Sequence, residues 1–179
     1  MTKREVMIHM LTSRVEMNGS MFCEDEELEE EERDEGQFSL PEMLRELTGE
    51  MPEPTEMFME GRLVTNERRV ELVYEESELT GMEGSVTSIG FDRADPTLVS
   101  MMRTGPVRTA LTFEENKRHL CLYNTPFSDF EVCVHAIAVD NRLLKEGVLV
   151  LDYLIEIHGA QAEHCKMTVA IRPIEQPML

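Results

Sequence analysis

Basic residues are scarce in this sequence, and tryptophan is absent from it. The 179 residues include 17 Lys and Arg against 36 Asp and Glu, and no Trp. Proteins bind nucleic acids and anionic membranes through concentrated basic surfaces. The sequence therefore argues against a nucleic-acid partner and against a membrane partner.

Long apolar runs and paired cysteines are also missing. No apolar stretch reaches the roughly 20 residues that a transmembrane helix needs, and no apolar signal-peptide segment follows the first residues. The four cysteines form no CxxC pattern and have no zinc-ligand spacing. Cys121, Cys133 and Cys165 lie in strand-like runs, where a free cysteine packs as a small hydrophobe. We therefore expect a soluble, cytoplasmic protein without a metal or a cofactor.

The net charge of −19 is concentrated in one segment. Residues 24–60 hold sixteen acidic residues and two arginines, so they carry −14 of the total. Ten of the twelve residues in 24–35 are acidic, which predicts disorder there. A Ser-Leu-Pro start followed by apolar residues at helical spacing predicts a short helix over about 40–48. We interpret 18–54 as an acidic insertion after the first strand of a single domain, 1–179.

The rest of the chain alternates apolar and polar residues, as half-buried strands do. Residues 4–17 and 56–65 are strand-like, and further strand-like runs follow, separated by short polar turns. Within VELVYEES, for example, Val70, Leu72 and Tyr74 face one way. Nine or ten strands at such regular spacing predict an all-β fold. The short connections favour an antiparallel up-and-down β-barrel over a sandwich.

Four short motifs in the later part of the chain resemble those of one family. They are YEESELTGMEGSVTSI at 74–89, RTG at 103–105, LYNTPF at 122–127 and GVLVLDYLIEIHG at 147–159. In this order they are similar to the YwiB-like bacterial proteins, a family of unknown function with a calycin-type barrel. The resemblance implies a closed, lipocalin-like barrel of about eight or more strands. It implies no activity, substrate or cofactor.

The inward-facing residues of such a barrel are candidates for a ligand site. A barrel of this size is either filled by side chains or holds one small ligand. Polar groups that converge in an apolar pocket are typical of small-molecule sites. Strand alternation places five candidate ligand-binding residues on the apolar side: Tyr74, Thr87, Thr109, Phe113 and Tyr153. Arg103 is a sixth candidate, on a strand that is apolar on both faces, so alternation alone leaves its direction open. In a filled core, the same hydroxyl groups would pair with one another or with buried water.

Arg103 has two interpretations. Its guanidinium could bind a carboxylate or phosphate group of a ligand with two parallel hydrogen bonds. Alternatively it pairs with a resident acid such as Glu75, Glu78 or Glu83 and fixes the mouth of the barrel. The sequence favours the pairing with a resident acid.

No pattern in the sequence indicates catalysis or a metal site. Strand pairing could bring His119 and His135 close to Cys121 or Cys133, as a zinc site or a Cys–His nucleophile would require. The sequence shows no ligand spacing that supports such a site. Buried cysteines are also poor nucleophiles. We therefore predict no catalytic residue and no metal ligand.

Three classes of function remain open. The first is a non-catalytic module that binds a small apolar or amphipathic molecule in the lumen or mouth of the barrel. The second is a structural or interaction protein with a filled barrel, whose acidic insertion contacts a basic partner. The third is an enzyme with a strand-borne site. Apolar residues on both faces of strands such as VSMMR indicate an outer face covered by a helix or by a second subunit, and they favour a homodimer.

Overall fold

Ten β-strands account for most of the chain that the structure describes. This computed structural model describes residues 1–17, 52–157 and 162–174. The strands are β1 (Thr2–Met17), β2 (Thr55–Thr65), β3 (Arg69–Glu75), β4 (Val86–Asp92), β5 (Val99–Thr104), β6 (Arg108–Phe113), β7 (Arg118–Asn124), β8 (Asp129–Arg142), β9 (Val148–Ile157) and β10 (Ala162–Pro173). A 3-10 turn at Glu78–Thr80 and a four-residue helix, α1 (Leu143–Glu146), lie between strands.

The strands close into a barrel by pairing with their neighbours in sequence. Each consecutive pair is antiparallel, and β1 pairs with β10 to complete the circle. The first strand is the longest, and it pairs with β2 over Thr2–Thr12 and with β10 over Val6–Met17. A closed meander of this kind leaves no unpaired sheet edge along its strands. The predicted all-β, antiparallel, up-and-down barrel is therefore confirmed for the described residues.

Several expectations concern residues outside this description. The predicted disorder over 24–35 and the predicted helix over about 40–48 lie outside the described residues, as does most of the acidic insertion. Pro52–Pro54, at its end, has no regular secondary structure. Among the described residues, neither helical segment is long and apolar enough to cross a lipid bilayer.

One half of the barrel interior is packed solid with apolar side chains. Inward-facing residues from all around the sheet are fully buried there, among them Ile8, Leu72, Ile89, Phe113 and Leu149. The helix α1 lies at this end, and its Leu143 is part of the same core. The segment 140–147, between the last long strands, contains the end of β8 and this helix. The packed half fixes the shape of the barrel and leaves the other end for a site.

Candidate functional site

The barrel contains a cavity at the end away from α1. Its volume is about 660 Å³, and small-molecule sites measure roughly 300–1,000 Å³. Inner-face residues of strands all around the sheet line it, and Leu79, Thr80 and Met82 line it from the segment that follows β3. The lumen at this end is therefore open on the scale of one small ligand.

Methionine side chains form much of the apolar wall. Met10, Met57, Met101 and Met167 all line the cavity. Met10 and Met57 lie directly opposite each other on β1 and β2. Methionine is unbranched and polarizable, and it adapts to ligands of different shape. This wall can therefore accommodate a flexible apolar group.

An aromatic pair separates the cavity from the packed half. Tyr153 lines the cavity, whereas Phe113 is fully buried beside it. Their ring centroids are 4.8 Å apart with an interplanar angle of 64°, an edge-to-face contact. Such contacts hold both rings in one orientation. The floor of the cavity is therefore preformed.

A buried ion pair forms the polar part of the cavity wall. Arg103 donates from Nη2 to Glu76 Oε1 at 2.9 Å and from Nε to the same oxygen at 3.1 Å. The exposed fraction is 9% for the Arg103 side chain and 3% for the Glu76 side chain. Both residues line the cavity. Each charge is thus compensated by the other away from bulk water, as buried charges need to be.

Thr87 completes this network from the neighbouring strand. Its hydroxyl donates to Glu76 Oε1 at 2.5 Å and accepts from Arg103 Nε at 3.0 Å. The backbone holds Glu76 in place, because Glu76 N donates to the carbonyl oxygen of Ser85 at 2.8 Å. The pairing between β3 and β4 thus continues one residue beyond β3. These contacts fix the carboxylate and the guanidinium before any ligand enters.

A second, exposed ion pair lies at the rim. Arg14 Nε and Glu163 Oε2 are 3.3 Å apart, and both residues line the cavity. With Glu53 and Lys166, which also line it, the cavity wall has three cationic and three anionic side chains. The described wall is therefore neutral in net charge.

The phenols of Tyr74 and Tyr153 and the thiol of Cys165 stay protonated at neutral pH. Burial raises the pKa of Tyr153, and burial together with the nearby Glu76 carboxylate raises the pKa of Tyr74. Burial also raises the pKa of Cys165 to about 11. A protonated, buried thiol is a weak nucleophile. The cavity thus presents neutral hydrogen-bonding groups beside its ion pairs.

The six residues predicted from the sequence lie on the inner face, in four different settings. Tyr74, Arg103 and Tyr153 line the cavity, and Thr87 is buried behind the ion pair. Phe113 lies beneath the cavity floor. Thr109 is buried on β6, between Arg103 and Tyr123 in the strand pairing, and its hydroxyl has no hydrogen-bond partner among the described residues.

The resident acid beside Arg103 is Glu76, and not one of the acids predicted from the sequence, Glu75, Glu78 and Glu83. Those three are exposed. The signal for Glu76 was present, because it extends the inward alternation of Val70, Leu72 and Tyr74 by one more step. It was missed because it follows the last residue of the strand. The cavity methionines were missed because methionine fills packed cores equally well.

The described histidines and cysteines do not converge on one site. His119 lies opposite Val134, and His135 lies opposite Arg118, so the two imidazoles project from opposite faces of the β7–β8 pair. His119 instead faces Glu114, with 3.4 Å between Nε2 and Oε2. Burial raises the pKa of both Cys121 and Cys133. Among the described residues, no group of three His, Cys, Asp or Glu side chains could hold a metal ion.

The fold and the cavity define a closed, up-and-down β-barrel with an internal pocket. A family model described as a domain of unknown function, DUF1934, matches residues 44–169, and the chain belongs to this family. The crystal structure of the ywiB protein from Bacillus subtilis has a similar fold, with a TM-score of 0.57 and 15% sequence identity. That similarity covers 94% of this chain and 92% of the other. The predicted resemblance to the YwiB-like family is confirmed.

The comparisons give no activity. An identity of 15% to the ywiB protein shows a shared fold alone. No curated protein matches the chain. The function must therefore be argued from the cavity itself.

Proposed function

We propose that this protein binds one small amphipathic molecule in the cavity of its barrel. The observation that carries the proposal is an open volume of about 660 Å³ with an apolar wall and a fixed polar network. An interaction module with a filled barrel would have side chains in that volume. The cavity favours the binding module over this alternative.

Binding is favoured over catalysis by the state of the titratable groups. A catalytic acid or base works best when its pKa lies near the operating pH. Burial holds the pKa values of Tyr74, Tyr153 and Cys165 above their ordinary range. The Glu76 carboxylate already accepts three hydrogen bonds at Oε1. These groups suit the recognition of a ligand better than its conversion.

The calycin-like character of the barrel and its cytoplasmic location belong to the same proposal. Lipocalin-type barrels hold one small ligand in the lumen, and a cavity at one end of a closed meander fits that arrangement. Three described cysteines, Cys121, Cys133 and Cys165, are free thiols, which fits a reducing compartment. A basic partner for the acidic insertion remains a prediction from the sequence.

The first test is direct detection of a ligand. Native mass spectrometry of the purified protein should reveal a co-purified molecule, and denaturing spectra should show the mass of the bare chain. Titration with the uncharged fluorescent probe N-phenyl-1-naphthylamine should then give saturable binding to the delipidated protein at a single site. Absence of both a co-purified molecule and probe binding would refute the proposed function.

Two neighbouring methionines supply a matched pair of variants. Met101 lines the cavity and is 4% exposed, whereas Met102 is on the outer face of the same strand and is 47% exposed. We expect Met101→Trp to weaken probe binding by about tenfold or more, because its indole enters the binding volume. Met102→Trp should leave binding unchanged. Since the chain has no tryptophan, each variant also carries a unique fluorophore that reports its own environment.

We also propose that a second copy of the chain covers the outer face of β5–β7. This outer patch contains three exposed apolar side chains, Met102, Leu120 and Leu122. Arg108 flanks it on β6 and Glu131 on β8. A two-fold axis through the patch would bring Arg108 of one copy to Glu131 of the other. This complementarity favours a homodimer over an unrelated partner.

A further inference from the structure

The polar network in the cavity carries equal and opposite charges at almost the same point. Three hydrogen bonds join Arg103, Glu76 and Thr87 around the single oxygen Oε1 of Glu76. The two charged side chains are nine-tenths or more buried. A ligand that reaches them therefore meets a strong local dipole and no net charge.

We propose that the cavity selects a ligand with an uncharged head group that both donates and accepts hydrogen bonds, attached to a flexible apolar tail. This inference rests on the proposed function and specifies its ligand class. A primary amide is the simplest head group of this kind.

Charge balance is the first argument. An anionic head group could bind Arg103 fully only by displacing Glu76, and the displaced carboxylate would remain buried without a partner. A cationic head group would have the same effect on Arg103. Burying an unpaired charge is much more unfavourable than burying a neutral polar group. The neutral network thus discriminates against both kinds of ion.

The unused atoms of the ion pair are the second argument. Arg103 donates through Nε and Nη2, and Glu76 accepts through Oε1. Among the described residues, Arg103 Nη1 and Glu76 Oε2 make no hydrogen bond. One is a donor and the other an acceptor, and both side chains line the cavity. An amide offers the matching carbonyl oxygen and N–H group.

The remaining wall determines the tail. Met10, Met57, Met101 and Met167 border the cavity, together with Leu111 and Val132. The methionines are unbranched and can adjust to a bent chain, and aromatic side chains such as Tyr123 and Phe130 form other parts of the wall. A linear alkyl tail can therefore lie along the methionine side of the wall.

Three probes with the same tail test the selection. Decanamide, decanoate and decylamine at pH 7.5 are neutral, anionic and cationic, and each competes with N-phenyl-1-naphthylamine for the wild-type protein. We expect the inhibition constant of decanamide to be lower than the other two by about tenfold or more, the effect of one unmet polar contact. Equal or tighter binding of decanoate or decylamine would overturn the inference and leave the proposed function standing.

Failure of all three competitors against a bound probe would also overturn the inference. Failure of the probe itself to bind would instead refute the proposed function. The two proposals can therefore be told apart in one experiment, which uses the full chain and no variant.

Glu76→Gln then tests the origin of the selection. This change keeps the shape of the side chain and leaves Arg103 with an unbalanced charge. The inhibition constant of decanoate, divided by that of decanamide, should therefore fall by about tenfold relative to the wild type. Glu75→Gln, at the exposed neighbouring position, should keep the wild-type order. A folded Glu76→Gln protein, judged by circular dichroism, that retains the wild-type order would contradict the proposed role of the ion pair.

Discussion

The opposite charges of Glu76 and Arg103 compensate each other in the protein interior. The contribution of each residue to stability depends on the presence of the other. Removing one partner of a buried ion pair typically costs about 3–5 kcal/mol, because the other charge is left without compensation. Thr87 adds a hydroxyl that is hydrogen-bonded to both. Such a network holds a cavity wall in one arrangement. At the scale of single residues, the site is therefore rigid at its polar part and adaptable along its methionine wall.

Cys165 should give the protein a specific sensitivity to alkaline pH. Burial is the largest cause that raises the pKa of its thiol from 9.0 to about 11, and the Arg14 guanidinium lowers it by less. Between pH 9 and 11 the unfolded chain loses a proton that the folded chain keeps. The stabilisation is thus complete below about pH 9 and is lost as the pH rises to about 11. We expect this group to account for a loss of about 3 kcal/mol.

The measurement is urea unfolding of wild type and Cys165→Ala at pH 8 and pH 10.5. The free energy of unfolding should fall more steeply in the wild type than in the variant. Tyr74 and Tyr153 also have raised pKa values, so they contribute to the loss of stability at high pH in both proteins. Only the difference between the losses of wild type and variant is therefore informative. Parallel losses in the two proteins would contradict the assignment to Cys165.

At the scale of elements, alternation alone predicted most of the barrel. The predicted strands at 4–17 and 56–65 correspond to Thr2–Met17 and Thr55–Thr65. Burial that alternates from one residue to the next is a local property of a strand, so it can be predicted directly from the sequence. The closure of β1 on β10 followed from the family resemblance and is not encoded in any single segment.

The site was less predictable, because it depends on register between strands. Thr87 contacts the ion pair because it lies opposite both Tyr74 and Arg103 in the pairings of β4. A second example is the irregularity in β8 between Ala136 and Ala138, which shifts the pairing with β9 by one residue. A bulge of this kind changes which residues face inward. Strict alternation could therefore not predict which residues face inward at the end of β8.

Gly61 should be essential to the packed half of the barrel. It lies on the inner face of β2, where an added Cβ would overlap Ile8 Cδ1 and lie 3.0 Å from the carbonyl oxygen of Val73. Ile8 is fully buried and has little room to move. We expect Gly61→Ala to lower the free energy of unfolding by about 1–3 kcal/mol. Chemical denaturation measures this, with Glu60→Ala at the exposed neighbouring position as the control.

The double variant Gly61→Ala with Ile8→Val provides the sharper test of that cause. Ile8→Val alone should cost about 0.5–1.5 kcal/mol, because it removes one buried methyl group. It also removes the atom that the new Cβ overlaps. The double variant should therefore lose less stability than the sum of the two single losses. Strict additivity would mean that the overlap with Ile8 is not the source of the effect.

At the scale of the whole molecule, the barrel divides into a packed half and an open half. Large side chains such as Phe91, Phe113 and Leu149 fill the first. In the second, the inner positions carry the ion pair and the methionines around the cavity. A closed sheet fixes the distance between its walls, so the open half cannot collapse when it is empty. The packed end of the barrel thus provides most of the apolar core, and the open end provides the proposed binding cavity.

The proposed homodimer predicts a concentration-dependent association in solution. Sedimentation at physiological ionic strength, where repulsion between chains of net charge −19 is screened beyond roughly 8 Å, should show a species of twice the protomer mass. Leu120→Glu should abolish it, because this side chain is 71% exposed within the outer patch. Phe58→Glu is the control, since Phe58 is 66% exposed on β2, diametrically opposite β7 in the barrel order.

Charge exchange tests the geometry of that dimer. Arg108→Glu should weaken association, because it would face the partner copy with an acid where the wild type has a base. Glu131→Arg should weaken it for the converse reason. The double variant restores one base opposite one acid and should recover the dimer, since opposite charges across an interface select orientation. Recovery requires that the two positions meet across a two-fold axis, so a double variant that stays monomeric would exclude this arrangement.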